Sequence, residues 1–118
     1  MKKFLAIFLG SATDTAMKNW LALDPEIRRE KEKSGISAWK NWVNKNDNII
    51  DGGSPIGKTK RVDASGISDT KNLITGYTIV EAESQEAAAK LFVDHPHFTM
   101  FPGESVEVME CLPIPENM

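Results

Sequence analysis

Three side chains that can transfer protons stand within four residues of one another in the last quarter of the sequence. They are Asp94, His95 and His97, and the two histidines are the only ones in the chain. Imidazole takes up and releases a proton near neutral pH, and a nearby carboxylate can orient it. The cluster therefore suggests general acid–base chemistry on a small substrate. His95 is the main catalytic candidate, with Asp94 and His97 beside it.

A strand followed by a helix positions this cluster. The stretch 77–80 is rich in β-forming residues, and the period changes from 2 to 3.6 at Ser84, a good N-cap residue. We expect the helix to run from Ser84 to His95 and to be stopped by Pro96. Its predicted buried face, at spacings i, i+3, i+4 and i+7, consists of Ala88, Leu91, Phe92 and His95.

Two interpretations of His95 are open. In the structural one, an inward-facing ring donates to a carbonyl or carboxylate, and the end of the helix raises its pKa. In the functional one, His95 is a general base that Asp94, or Asp51 from across the fold, orients toward a small acidic substrate. His97 follows the proline, so we expect it to be exposed.

Aromatic residues provide candidates for a ligand pocket. Trp39 and Trp42 belong to a helical apolar stripe within 36–46, which is typical of a core but can also line a pocket. Tyr77, on a predicted central strand, has the same two interpretations. The ligand-binding set predicted from the sequence is Trp39, Trp42, Asp51 and Tyr77.

The remaining elements follow from apolar patterning and turn residues. Residues 4–9 are apolar throughout and predict a central strand, and Asp24-Pro25 is a typical helix start. Gly35 is expected to interrupt the helical pattern between the charged run 26–33 and the stripe that follows. The polar segment 57–63 is predicted as an edge strand and 64–73 as a loop. A last strand is predicted over 105–112.

This order predicts an α+β fold of the ferredoxin-like βαββαβ type. Its four-stranded antiparallel sheet has the first and third strands at the centre and the helices on one face. The opposite sheet face is apolar in the central strands and needs a cover. We expect a homodimer in which these faces meet.

The segment from Gly52 to Thr59 formally matches the phosphate-binding pattern G-x-x-x-x-G-K-T. A working loop of this kind needs a helix directly after it. The residues that follow Thr59 do not have a helical pattern. The sequence therefore argues against a nucleotide site here.

Composition narrows the function further. The 118 residues suit a single domain over 1–118, and a net charge of −3 disfavours nucleic acid as a partner. One cysteine and two histidines disfavour a structural metal site, and no cofactor is expected. The N-terminal residues resemble a short secretory signal, but the apolar run is shorter than a usual signal core and Asp14 follows it closely, which favours a buried strand. We expect a cytoplasmic protein that begins at Met1 or Lys2 and does not associate with membranes.

Four stretches resemble the YCII-related family, which is grouped with the DGPF-domain proteins; they are 50–57, 74–82, 84–97 and 105–113. The resemblance implies a dimeric α+β barrel. The family's Asp-Gly-Pro-Phe sequence is absent near 66–69. No histidine precedes residue 95, so the histidine–aspartate pair proposed for some members does not carry over.

Two functions from different classes follow. One is a small enzyme of degradative or secondary metabolism that uses His95 as acid or base on an acidic or aromatic substrate. The alternative is a non-catalytic dimeric module that binds a small ligand between sheet and helices. A perturbed His95 beside a carboxylate in a closed pocket favours the enzyme. A pocket that no titratable group faces favours the module.

Overall fold

The computed structural model describes residues 1–11 and 15–115. Its strands are β1 (Lys2–Leu9), β2 (Ile49–Pro55), β3 (Thr59–Asp63), β4 (Gly66–Thr70), β5 (Ile74–Ala82) and β6 (Ser105–Glu110). Its helices are α1 (Thr15–Leu21), α2 (Pro25–Lys45), α3 (Gln85–Lys90) and α4 (Pro96–Thr99). The cap expected before α1, at Thr13 or Asp14, lies outside the described residues.

The main sheet confirms the predicted topology. Its strand order is β2-β5-β1-β6, all antiparallel, so the first and third sheet strands are central. Alternate residues of β1 and β5 are buried under the helices, where they form the core with Ala88 and Phe92. The helices therefore cover one face. On the other face, Leu5, Ile7 and Ile79 are only half-buried.

The prediction for 57–73 was wrong. The second strand of the sheet is β2, and the polar segment instead pairs with β4 in a separate two-stranded hairpin. The Gly52-Gly53 pair looks like a turn, but the strand continues through it with shifts in register. Gly53 has φ +73°, and a Cβ there would lie 1.6 Å from the carbonyl oxygen of Tyr77. Only glycine allows β2 to approach β5 at this point.

Gly35 does not interrupt the helix, contrary to expectation. α2 runs unbroken over 21 residues, with Asp24 accepting a hydrogen bond from the Glu26 amide as its N-cap. Gly35 is buried, and a Cβ there would lie 2.5 Å from the ring of Phe101. The glycine costs the helix about 1 kcal/mol relative to alanine but allows an aromatic ring to pack against the backbone.

The helix after Ser84 is also shorter than predicted. Ser84 caps it as expected, by accepting from the Ala87 amide, but α3 ends at Lys90 and the chain turns through Asp94 at φ +59°. Pro96 then begins α4 instead of ending a helix. Proline is favourable at a first helical position because its missing N–H is not needed there.

Candidate functional site

His95 is fully buried and faces inward, as predicted. Its ring centroid lies 4.5 Å from those of both Trp39 and Trp42, 5.0 Å from Phe8 and 5.8 Å from Phe92. Trp42 is fixed in turn, because its indole Nε1 donates to the carbonyl of Leu91 at 2.8 Å. His95 is thus enclosed by four aromatic rings.

The hydrogen bonding of His95 differs from the prediction. Its Nδ1 accepts from the backbone amide of His97 at 3.0 Å, so the ring caps α4. A neutral ring that accepts at Nδ1 carries its hydrogen on Nε2. Among the described residues, Nε2 has no hydrogen-bond partner. The expected carbonyl or carboxylate acceptor is therefore not found in the described part of the chain.

The predicted direction of the His95 pKa was wrong as well. Burial among apolar rings, and to a smaller extent the neighbouring His97, lowers the pKa of His95 to about 4. Desolvation penalises the charged imidazolium, and in this aromatic enclosure it outweighs any gain from a helix end. His95 is therefore neutral at pH 7.

His97 is buried, with 5% of its surface exposed, contrary to the expectation of an exposed ring. Because Pro96 begins α4, the chain turns inward directly after it. The His97 Nε2 lies 2.8 Å from the Leu9 carbonyl oxygen, to which the neutral ring donates. Burial lowers the pKa of His97, while the backbone groups of Leu9 and Ser105 act in the opposite direction. A Cβ on Gly103 would lie 2.3–2.5 Å from three atoms of this ring.

A cavity of about 510 Å³ lies between α2 and the β2–β5 edge of the sheet. Phe8, Trp39 and Phe101 provide aromatic walls, and His97 belongs to the lining. Lys40 contributes the one cationic side chain of the lining, in which no described residue is acidic. The floor is main chain at Gly52, Gly53 and Gly76, where no side chain fills the space. These features suit a small, mostly apolar ligand that is neutral or negatively charged.

The structure brings together some of the predicted site residues and separates others. Trp39 touches His95 and also lines the cavity, whereas Trp42 belongs to the core beside it. Tyr77 lies along the cavity, but its neighbours Gly76 and Thr78 are buried under the helices. Strand alternation therefore places the Tyr77 ring on the opposite face of the sheet.

The two predicted carboxylates lie outside the cavity lining. Asp51 is exposed, and its Oδ1 accepts a hydrogen bond from the Gly53 amide at 2.8 Å, which supports the irregular part of β2. Asp94 is exposed in the turn before α4. Neither lines the cavity. His95 does not line it either, but lies behind the Trp39 wall.

Sequence reasoning missed Phe8, Ile36, Lys40 and Phe101 as lining residues. A signal for Phe101 was present, and so was one for the inward position of His97. A glycine within a strong helical pattern indicates close packing, and here it receives the Phe101 ring. Proline is favourable at the first helical position, so Pro96 also indicates a possible helix start, and a new helix there places His97 inside.

In the described chain, no helix is long and apolar enough to cross a membrane. Within the same residues, no three histidine, cysteine or acidic side chains are grouped as a metal site would need.

No protein-family profile matches the chain, and no curated protein matches it. Among solved structures, it is similar to a 5-chloro-2-hydroxyhydroquinone dehydrochlorinase from Burkholderia phenoliruptrix, solved in complex with 2,5-dihydroxybenzoquinone. The alignment covers 91% of this chain and 90% of that one, at 14% identity and a TM-score of 0.47. The chain's own strand order and helix packing establish its α+β fold.

Proposed function

We propose that this protein binds a small organic molecule with an aromatic or other apolar ring in the cavity between α2 and the sheet. The observation that carries the proposal is the lining: aromatic walls, a main-chain floor, one lysine and no carboxylate among its described residues. A ring stacks favourably against Trp39 and Phe101. Lys40 favours a ligand that also carries a negative charge.

Filling the cavity tests this proposal. Ile36 lines the cavity and is 51% exposed, whereas Ile27, on the same helix and 50% exposed, does not line it. The probe is 1-anilinonaphthalene-8-sulfonate, an aromatic anion, and its affinity is measured by calorimetry. We expect Ile36→Trp to weaken binding at least about tenfold, which corresponds to about 1.4 kcal/mol, because the larger ring occupies the cavity. Ile27→Trp should leave the affinity unchanged. Equal affinities in both variants would contradict binding in this cavity.

A second substitution tests the charge. Lys40→Gln removes the cation from the lining, and Lys45→Gln removes one from the same helix outside the lining. We expect only Lys40→Gln to weaken binding of the anionic probe, by about two- to fivefold, because exposed charges contribute little. Binding of neutral 2-naphthol should be the same in both variants.

A catalytic function is the second candidate, and the placement of His97 supports it. This ring lines the cavity, and its lowered pKa favours the neutral form that acts as a base. With Nε2–H donated to Leu9, the lone pair resides on Nδ1. Proton abstraction from a bound, weakly acidic carbon would appear as hydrogen–deuterium exchange of that ligand in D2O. His97→Gln should abolish such exchange while retaining binding. Exchange that persists in the variant would rule out this role.

We further propose that the chain acts as a homodimer joined through the sheet face that the helices leave uncovered. Leu5, Ile7 and Ile79 are apolar and half-exposed there, on the two central strands. Burying such a surface removes apolar area from water at about 25 cal/mol per Å². Sedimentation equilibrium at micromolar concentration should give twice the chain mass of 13.1 kDa. A species of single-chain mass would contradict the proposal.

A further inference from the structure

The β3–β4 hairpin and its flanks, residues 57–71, form an arm on the molecule. Every residue of β4 is exposed, and so is every residue of β3 except Thr59. The ion pairs of the strands, Lys60 with Asp69 and Arg61 with Asp63, both lie within the arm. The radius of gyration is 16.5 Å, compared with about 13.5 Å for a compact chain of this length. The chain is thus extended for its size.

The arm presents apolar side chains to solvent. Val62 and Ile67 are directly paired across the two strands and are 74% and 75% exposed. An isolated two-stranded hairpin is at best marginally stable in water. A paired valine and isoleucine on such an arm therefore indicate a surface that becomes covered.

The distribution of charge along the chain indicates which surface covers Val62 and Ile67. The arm has a net charge of +2, and because the whole chain has −3, the remainder has −5. The charged residues of the arm are Lys58, Lys60, Arg61, Lys71, Asp63 and Asp69. Two arms would repel each other, whereas an arm and the body of another copy attract each other. Register places the carboxylates Asp51, Glu81 and Glu107 on the uncovered sheet face, together with Lys3 opposite Glu81. The three carboxylates outnumber this lysine, and we call them the acidic rim.

We propose that the arm docks on the acidic rim of the uncovered sheet face of a second copy of this chain. Val62 and Ile67 provide the apolar contact, and the lysines of the arm face the rim carboxylates. The inference rests on the homodimer proposed above and adds a second contact to it. Sheet centres meet face to face, and each arm reaches across to the partner.

The test is the dimer dissociation constant of the full chain, measured by sedimentation velocity. Val62→Ser combined with Ile67→Ser should raise this constant at least about tenfold. The matched control is Leu112→Ser with Ile114→Ser, because these residues are 74% and 81% exposed and lie outside the arm. We expect the control to change the constant less than twofold. Equal constants for the arm variant and the wild type would overturn the inference.

Charge reversal gives an independent readout. Lys58→Glu with Lys71→Glu changes the arm from +2 to −2, so it should weaken the dimer in low salt. The difference from the wild type should vanish near 1 M salt, where the Debye length is about 3 Å. An unchanged constant in low salt would contradict docking on an acidic surface.

The outcomes separate this inference from the proposals on which it rests. A wild-type chain that stays monomeric up to about 100 µM overturns both the homodimer and the arm contact. If Ile7→Lys dissociates the dimer but the arm variants leave the dissociation constant unchanged, the sheet interface is supported and the arm contact is overturned. Affinity for the anilinonaphthalene probe should be unchanged in all arm variants, because none of the substituted residues lines the cavity.

Discussion

The core around His95 and the cavity wall around His97 lie two residues apart in sequence, yet they differ in what they can do. Four aromatic rings enclose His95, and its one acceptor atom is used by the next turn of chain. His97 is also buried, but its ring belongs to the lining of the cavity. Two deeply buried histidines can therefore differ in their access to a ligand.

Residue spacing alone does not assign a role to either histidine. In the predicted helix, His95 completes the buried face and His97 lies beyond its end. In the folded chain α4 begins at Pro96, and this places both rings inside, with centroids 4.5 Å (His95) and 6.3 Å (His97) from the Trp39 ring. Only His97 lines the cavity. We therefore expect changes at His95 to affect stability and changes at His97 to affect what happens to a ligand in the cavity.

The largest effect is expected for His95→Ala. It removes a fully buried ring and the side-chain cap of α4. Together these should lower the free energy of unfolding by about 3 kcal/mol, measured by urea denaturation. The folded fraction should bind the aromatic probe as the wild type does. His95→Gln is a milder version if the alanine variant does not fold. Normal stability with lost binding or activity would instead support the catalytic hypothesis for His95.

The second effect is the dependence of stability on pH. The pKa of His95 is near 6.5 in the unfolded chain and about 4 in the fold, so the unfolded state binds the proton more readily. Its contribution is fully present above pH 6.5 and is lost as the pH falls toward 4, by about 3 kcal/mol. Carboxylates titrate in the same range, so the measured quantity is the difference between wild type and His95→Gln. Parallel stability curves for the two proteins would contradict a neutral, buried His95.

Local signals in the sequence predicted much of the fold. Ser84 and Asp24-Pro25 fixed two helix starts, because capping depends only on neighbouring residues. The central positions of β1 and β5 followed from their apolar content, and topology independently required the first and third strands of the sheet to be central. Each of these features is decided within a few residues or by a general rule of connection.

The errors arose where distant residues decide the structure. Gly35 and Gly53 looked like breaks, but each allows a close approach by residues far along the chain, Phe101 and Tyr77. The cavity is built from five separate segments, which are β1, α2, β2, β5 and residues 97–101, so no single stretch of sequence could display it. The sign of the His95 pKa likewise depends on which rings enclose it.

Gly103→Ala should affect the cavity through the position of the His97 ring. A Cβ at this position collides with three atoms of the His97 ring, which must move away from the Leu9 carbonyl. We expect a loss of about 1–3 kcal/mol in stability, together with weaker probe binding. Gly57→Ala is the control, because its Cβ would meet nothing within 4 Å. Unchanged binding in Gly103→Ala would show that the position of His97 does not matter to the ligand.

The smallest effect is expected at Asp94, the third member of the original cluster. Its φ of +59° is unfavourable for a residue with a Cβ, so Asp94→Gly relieves strain but gains flexibility in the unfolded chain. These effects oppose each other, and the net change in unfolding free energy should be within about 1 kcal/mol. Asp94→Asn separates charge from conformation, since asparagine tolerates the same backbone region. Because the carboxylate is exposed and lies outside the cavity lining, both variants should bind the probe and exchange protons as the wild type does. If either variant shifts the pH profile of binding or exchange, Asp94 orients a histidine after all, and the separation between core and cavity fails.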